Sequence, residues 1–221
     1  MKNRILLALL AFAAVAGYAD QALAQDATVS DENNWYVNFG PLNVSYDASS
    51  KIYLGGAQVP GASSDADSDY GAGVELGYYF NPNVAVSLTV GTSPNLELVG
   101  TGPLAGAKLG EVQYGPAVVS VHYHFTNFGP KFKPYVGIGG NYTIVLRERD
   151  ATVEDLNVKN PSGAVVQLGF ESDFNDRWHF FLDAKQIFLD AKATGTVGGA
   201  PAKADVTLDP LIVMTGVGYR F

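Results

Sequence analysis

Ser120, His122 and His124 occupy alternate positions of one predicted strand and so share a face. A hydroxyl beside imidazoles is the material of nucleophile–base catalysis. Residues two apart on a strand are roughly 6.6 Å apart, too far for that hydrogen bond without a second strand. No third, orienting group can be assigned, so the three residues are read as lining and the chain as a non-enzyme. As metal ligands, two histidines need a further partner. His179 falls on another strand near a turn, so neither a metal site nor a cofactor is assigned. Glu75, Glu171, Asp183, Lys185 and Arg220 fall on faces of the same polar kind. Unpaired buried charge is costly, so they are read first as ion pairs filling an enclosed space and second as a selectivity element. Counting from the turns near Asn81 and Asn175, Glu171 should share a band with Asp183 or Lys185. The run Ser63 to Asp69 spaces Asp65, Asp67 and Asp69 two apart. It lacks the Gly and Glu of a calcium-binding EF-hand loop and reads as a solvated acidic loop, with ion bridging to lipopolysaccharide as a weaker alternative.

These faces belong to strands of period two. Val84, Val86, Leu88 and Val90 alternate with Ala85, Ser87 and Thr89. Val74, Leu76, Tyr78 and Phe80 precede them across the turn Asn81-Pro82-Asn83. Ala117 to Phe125, Phe132 to Leu146, Ala164 to Asp173 and Trp178 to Phe188 repeat the pattern. Leu211, Val213, Val217, Tyr219 and Phe221 form one face of the last strand. In the first strand, Gly40-Pro41 predicts a bulge or kink. About eight strands result. Short turns near Asn81, Asn127 and Asn175 alternate with long polar or glycine-rich connections over 47–71, 91–111, 147–160 and 191–206. Transmembrane β-barrels alternate in this way, with short periplasmic turns and long extracellular loops. Gly73, Gly77, Gly137, Gly139, Gly216 and Gly218 fall on the inward face and should leave space in the lumen.

Compartment follows from the ends and the sorting. Lys2 and Arg4, an apolar run from Ile5 to Ala16 and Ala22-Leu23-Ala24 make residues 1–24 a cleavable secretory signal. Residues 25–34 are read as an N-terminal periplasmic segment and 35–221 as the barrel. The chain has no cysteine, which excludes disulfides and thiolate catalysis. The formal charge of −8 argues against a nucleic-acid partner. A soluble sandwich or lipocalin-like barrel would also alternate. Here, however, one face is hydrocarbon and aromatic while the other carries the charges, and Phe80, Phe125, Phe132, Trp178 and Tyr219 sit at strand ends. An all-β, eight-stranded antiparallel transmembrane barrel in the bacterial outer membrane is therefore expected, in contact with outer-membrane lipid and lipopolysaccharide. Tyr219 and Phe221 resemble the terminal aromatic signal that the barrel assembly machinery reads.

Val119-Ser-Val-His-Tyr-His-Phe125, Lys133-Pro-Tyr-Val-Gly-Ile-Gly-Gly-Asn-Tyr-Thr143 and Leu208-Asp-Pro210 leading to Gly216-Val-Gly-Tyr-Arg-Phe221 resemble, in this order, the OmpW family of small outer-membrane proteins. Gly77-Tyr-Tyr-Phe80 before Asn83-Val-Ala-Val86 adds to the likeness, which runs from about Trp35 to the C-terminus in strands and short turns rather than long loops. The resemblance implies a narrow, largely apolar channel that passes small hydrophobic solutes, with lateral escape into the bilayer. Some members of that family are bacteriocin receptors. A non-conducting barrel whose loops act in adhesion, or as a bacteriocin or phage receptor, is thus the alternative. Residues 150–160 contain no tryptophan, and no gate residue is carried over.

Overall fold

The computed structural model describes residues 34–65, 68–92, 95–129 and 131–221. The signal segment, nearly all of the periplasmic segment and Asp67 of the acidic run lie outside the described residues. In chain order the strands are β1 (Trp35–Ser45), β2 (Ser49–Leu54), β3 (Ala57–Gln58), β4 (Ser63–Asp65), β5 (Asp69–Asn81), β6 (Val84–Gly91), β7 (Asn95–Thr101), β8 (Lys108–His124), β9 (Phe132–Asp150), β10 (Glu154–Val158), β11 (Ser162–Asp173), β12 (Trp178–Val197), β13 (Ala200–Thr207) and β14 (Leu211–Arg220).

Eight of them close a barrel. Successive antiparallel ladders join β1, β5, β6, β8, β9, β11, β12 and β14, and β14 returns to β1. Closure leaves no unpaired edge, as a lipid-embedded sheet requires. The two chain ends meet: Trp35 and Phe221 exchange backbone hydrogen bonds of 3.2 and 2.9 Å. The three short connections lie at this same end. Alternation sorts the side chains as expected: Val119, Val121, Ile138, Val166 and Leu168 are exposed outside, while Glu75, His122, Glu171 and Lys185 are buried inside. Trp178 packs on Tyr219, Tyr219 on Phe221 and Phe132 on Phe170, an aromatic girdle at the short-turn end.

Two local expectations fail. No bulge forms at Gly40-Pro41. The register of β1 on β5 is unbroken from Trp35–Tyr78 to Val44–Asp69. On the other side, the partners Phe39–Val217 and Leu42–Met214 keep one register across the gap. Glycine is required there because a Cβ on Gly40 would fall 1.9 Å from the Thr215 carbonyl oxygen. The long connections, moreover, are not open loops. β8, β9 and β12 run on beyond the barrel, and β2, β4, β7, β10 and β13 pair around them.

The result is a second ring above the first. Going round it, β13 joins β2 and β12, β12 joins β10, β9 joins β8, β8 joins β7, and β7 joins β4. Side chains close the two remaining seams. Between β2 and β4, Ser50 N donates to Ser63 Oγ at 2.9 Å and Ser64 N donates to Ser50 Oγ at 2.8 Å. Between β9 and β10, Val158 N donates to Glu148 at 2.6 Å, and Asp155 N and Leu156 N each donate to Asp150 at 3.0 Å. The ring needs apolar residues only on its inner face, where Val112, Leu156 and Ala193 pack with Leu98 and Val145. The outer face is free to be polar, which is why the sequence there lacks a membrane pattern.

Candidate functional site

The lumen is divided into a polar half near the short turns and an apolar half towards the second ring. In the polar half, Glu75 of β5 accepts from Asn38 at 3.2 Å, Thr89 at 2.7 Å and Lys185 at 3.1 Å. Lys185 also donates to Asp183. Asp183 accepts further from Tyr135 at 2.7 Å and Gln167 at 2.5 Å. Nearer the short-turn rim, Arg220 donates to Glu171 at 2.5 Å and Asp173 at 2.8 Å. Tyr79 completes Glu171 at 2.9 Å and Lys133 completes Asp173 at 2.8 Å. Each buried carboxylate thus meets a cation and further donors, the condition under which buried charge is tolerable.

All eight residues singled out for the lumen, Glu75, Ser120, His122, His124, Glu171, Asp183, Lys185 and Arg220, are buried. They divide into two clusters rather than one band. Glu171 bonds to Arg220, whereas Lys185 bonds to Glu75 and Asp183. The stagger between barrel strands sets these partners, and counting from a turn does not capture it. A serine–histidine contact does exist, but it joins Ser87 of β6 to His122 at 3.0 Å. Ser120 Oγ and His122 Nδ1 have no hydrogen-bond partner among the described residues. His122 stacks on Tyr135, with ring centroids 5.2 Å apart. Ser87, Tyr79, Tyr135, Asn38, Gln167 and Lys133 were not singled out from sequence. Their inward parity is the one signal that would have found them.

The inward glycines do not leave a passage. A Cβ on Gly77 would fall 2.1 Å from the Tyr36 ring, and one on Gly218 would fall 2.0 Å from Asn38 and 2.2 Å from His179. Their space is taken by the large side chains opposite. Glu171, Asp173 and His179 bring ligand atoms within 4.8 Å of one another. Arg220 and Lys133 already neutralise both of these carboxylates, so the group reads as an ion-pair cluster and not as a cation site.

Above the charges lies an apolar plug of Leu42, Val118, Val165, Phe181, Ile187 and Met214 with their neighbours. Two chambers open above it. One, a cavity of about 60 Å³, is bounded by residues including Val44, Leu96, Val112, Val145, Leu189 and Ile212. The other, about 110 Å³, lies within the second ring between Ile52, Leu98, Leu109, Val153, Leu156 and Val206. Leu98, Ala193 and Val206 line both, so the chambers adjoin. Polar groups are few in the first: Asn141 and Thr143, which bond to each other at 2.9 Å, and the hydroxyls of Tyr46 and Tyr114, which contact each other. An apolar lining with few polar groups is the usual character of small-molecule sites.

The wall of the first chamber has a weak side. Above Tyr142 the β9–β11 ladder ends, at Tyr142 opposite Ser162. Beyond it, Thr143 N donates to Pro161 O at 2.9 Å and Val145 N donates to the Asn160 side chain at 3.0 Å. Higher still come the carboxylate clips from Glu148 and Asp150 to β10.

Comparison with known proteins agrees with this architecture. Residues 32–221 match the family model described as the OmpW family. The dibenzothiophene metabolism operon protein PahQ of Pseudomonas aeruginosa is 34% identical over 194 residues, covering 88% of this chain and 92% of its own. Outer membrane protein W of Vibrio cholerae is 31% identical, covering 74% of this chain and 83% of its own. Among solved structures, the outer membrane protein OprG of Pseudomonas aeruginosa superposes with a TM-score of 0.79 at 28% identity, covering 89% of this chain and 99% of that one. AlkL, solved in lipid bilayers, gives 0.69 at 25% identity, covering 89% and 93%.

Proposed function

This chain belongs to the OmpW family of outer-membrane β-barrels, and on that premise we propose that it passes small hydrophobic molecules passively across the outer membrane. The observation that carries the proposal is a pair of adjoining apolar chambers stacked above a lumen filled with ion pairs. A hydrophobic solute entering from outside gains roughly 25 cal/mol for each Å² of apolar surface it buries. To continue straight down, it would have to separate Lys185 from Glu75 and Asp183, and Arg220 from Glu171. Breaking a buried pair costs about 3–5 kcal/mol, and a solute already buried in an apolar chamber gains no further apolar burial by moving among charges to offset it. The lower-energy exit is sideways through the β9 seam above Tyr142, where side chains replace the backbone ladder. Lipid then takes up the solute. The name of the relative PahQ, which refers to dibenzothiophene metabolism, supports a flat apolar solute of that chemical kind.

The polar half supports a structural role and not catalysis: His122 meets Ser87, but its Nδ1 meets no orienting carboxylate among the described residues. Reconstitution tests the proposal. Vesicles carrying the protein should take up dibenzothiophene several times faster than vesicles carrying an unrelated eight-stranded barrel. Equal rates would refute transport and leave the extracellular ring as the functional part, in adhesion or as a bacteriocin or phage receptor.

A further inference from the structure

The outer wall of the second ring carries a charged cluster at one height. Gln113 and Glu111 of β8 lie opposite Arg147 and Arg149 of β9, and Glu97 of β7 lies opposite Glu111. Together these five side chains line one open depression on the outside of the barrel. Below it on β8 the outward residues are Val119, Val121 and Tyr123, all exposed, and then Phe125. The ten steps from Phe125 to Gly115 rise roughly 26 Å at about 3.4 Å per residue and about 40° of tilt. The apolar band of such barrels is about 25 Å tall. Gln113 and Arg147 are therefore the first polar pair above the hydrocarbon, at the level of the outer-leaflet headgroups.

The charges within the cluster are unevenly matched. Lys108 bonds to both carboxylates, to Glu111 at 2.6 Å and to Glu97 at 3.2 Å. These bonds raise the Lys108 ammonium above its ordinary range, and the bond to Lys108 holds Glu111 below the usual carboxylate range. Arg149 reaches Glu111 only at 3.4 Å. Arg147 forms no ion pair among the described residues. The other acids of β9, Glu148 and Asp150, turn the opposite way and hold the backbone of β10. Two guanidinium groups two residues apart thus face outward, about 6.6 Å from each other along the strand, with at most one partial partner. A guanidinium fork binds a phosphate through two parallel hydrogen bonds.

We propose that Arg147 and Arg149 dock a phosphate of lipid A, the anionic lipid of the outer leaflet, on the outside of the barrel. The site is independent of solute passage, because it faces lipid and shares none of its lining residues with the apolar chambers.

Native mass spectrometry of the purified protein in detergent, titrated with diphosphoryl lipid A, tests it. The parent should bind, and lipid A stripped of both phosphates should bind at least tenfold more weakly. Arg147→Ala with Arg149→Ala should weaken diphosphoryl lipid A at least tenfold and abolish its advantage over the stripped lipid. Arg177→Ala, an exposed change beside the short turns, should leave binding unchanged. Inorganic phosphate at the same concentration should not displace the lipid; displacement would make this a free-anion site and overturn the assignment. Equal binding by the double variant, or equal binding of the two lipids, would also overturn it. Heat-modifiable gel mobility reports whether the double variant is folded. If it is not, Arg147→Lys serves, since it keeps the charge and loses the fork. Several-fold weakening is then expected, and unchanged binding refutes the site.

Discussion

Lys185→Met separates the structural role of the polar lumen from the passage of solutes. Lys185 is 1% exposed and is the cation shared by Glu75 and Asp183. Methionine has similar length and no charge, so little packing volume is lost. Two carboxylates then remain buried without a cation. Glu75 keeps Asn38 and Thr89, and Asp183 keeps Tyr135 and Gln167. Neutral donors retain part of the stabilisation, about 1 kcal/mol each. Removing one partner from a buried ion pair costs about 3–5 kcal/mol. The retained bonds place the expected loss near the lower figure, about 3 kcal/mol. Urea unfolding in lipid vesicles, followed by tryptophan fluorescence, measures it. Adding Glu75→Gln and Asp183→Asn removes the stranded charges and should recover most of the loss, a non-additivity diagnostic of one network. Uptake of dibenzothiophene by the folded Lys185→Met protein should stay within twofold of the parent, since on the proposed lateral route the solute would leave above the plug. Stability within about 0.5 kcal/mol of the parent would refute the electrostatic account. A large change in uptake with folding intact would refute the lateral route.

The seam is testable in a chain that has no cysteine of its own. Glu148→Cys with Val158→Cys places a disulfide across the β9–β10 gap, where Val158 N now bonds to Glu148. Oxidation should slow solute uptake at least tenfold and reductant should restore it; a rate indifferent to oxidation would move the exit elsewhere. At the other end, deleting Phe221 removes one side of the Trp35–Phe221 backbone exchange and the Tyr219–Phe221 contact. Outer-membrane abundance, read by fractionation and immunoblotting, should fall several-fold, and undiminished abundance would contradict the part given to the terminal aromatic in assembly.

The barrel itself was legible because lipid imposes a rule on every second residue. Val119, Val121 and Tyr123 must be apolar, and His122 between them need not be. The ends of β12 escaped notice for the converse reason. From Ala191 to Val197 one face is Ala191, Ala193 and Gly195 and the other is Lys192, Thr194 and Thr196. That alternation is too weak in hydrophobicity to distinguish strand from loop, yet β13 and β10 pair with it on both sides. The partners inside the lumen were illegible for another reason. Lys185 and Glu75 are 110 positions apart, on strands that are not neighbours in the barrel. Parity says that both point inward; only the stagger of the closed sheet says that they meet. The expectation of open space beside the inward glycines failed in the same way. Gly77 shows that room exists, but Tyr36 opposite fills it.

Filling the lower lumen with charge is consistent with conducting hydrophobic molecules, because the two halves solve different problems. A through-channel of this width would be lined by side chains that a hydrophobic solute must desolvate, and it would end in periplasmic water, where the solute is least stable. On the proposed route, a chamber that ends on an apolar plug and opens sideways would deliver the solute to lipid without an aqueous step. The plug must then be tight to water and ions, and an eight-stranded barrel leaves an interior just wide enough for side chains to fill. Leucines alone would fill it, but hydrocarbon contacts fix neither strand register nor stagger. The Lys185–Glu75–Asp183 cluster and the Arg220–Glu171–Asp173 cluster each join strands distant in the chain, and a one-residue slip of β5, β11, β12 or β14 would turn that strand's charges towards lipid. The same contacts that bar the straight path therefore hold the register on which both chambers depend.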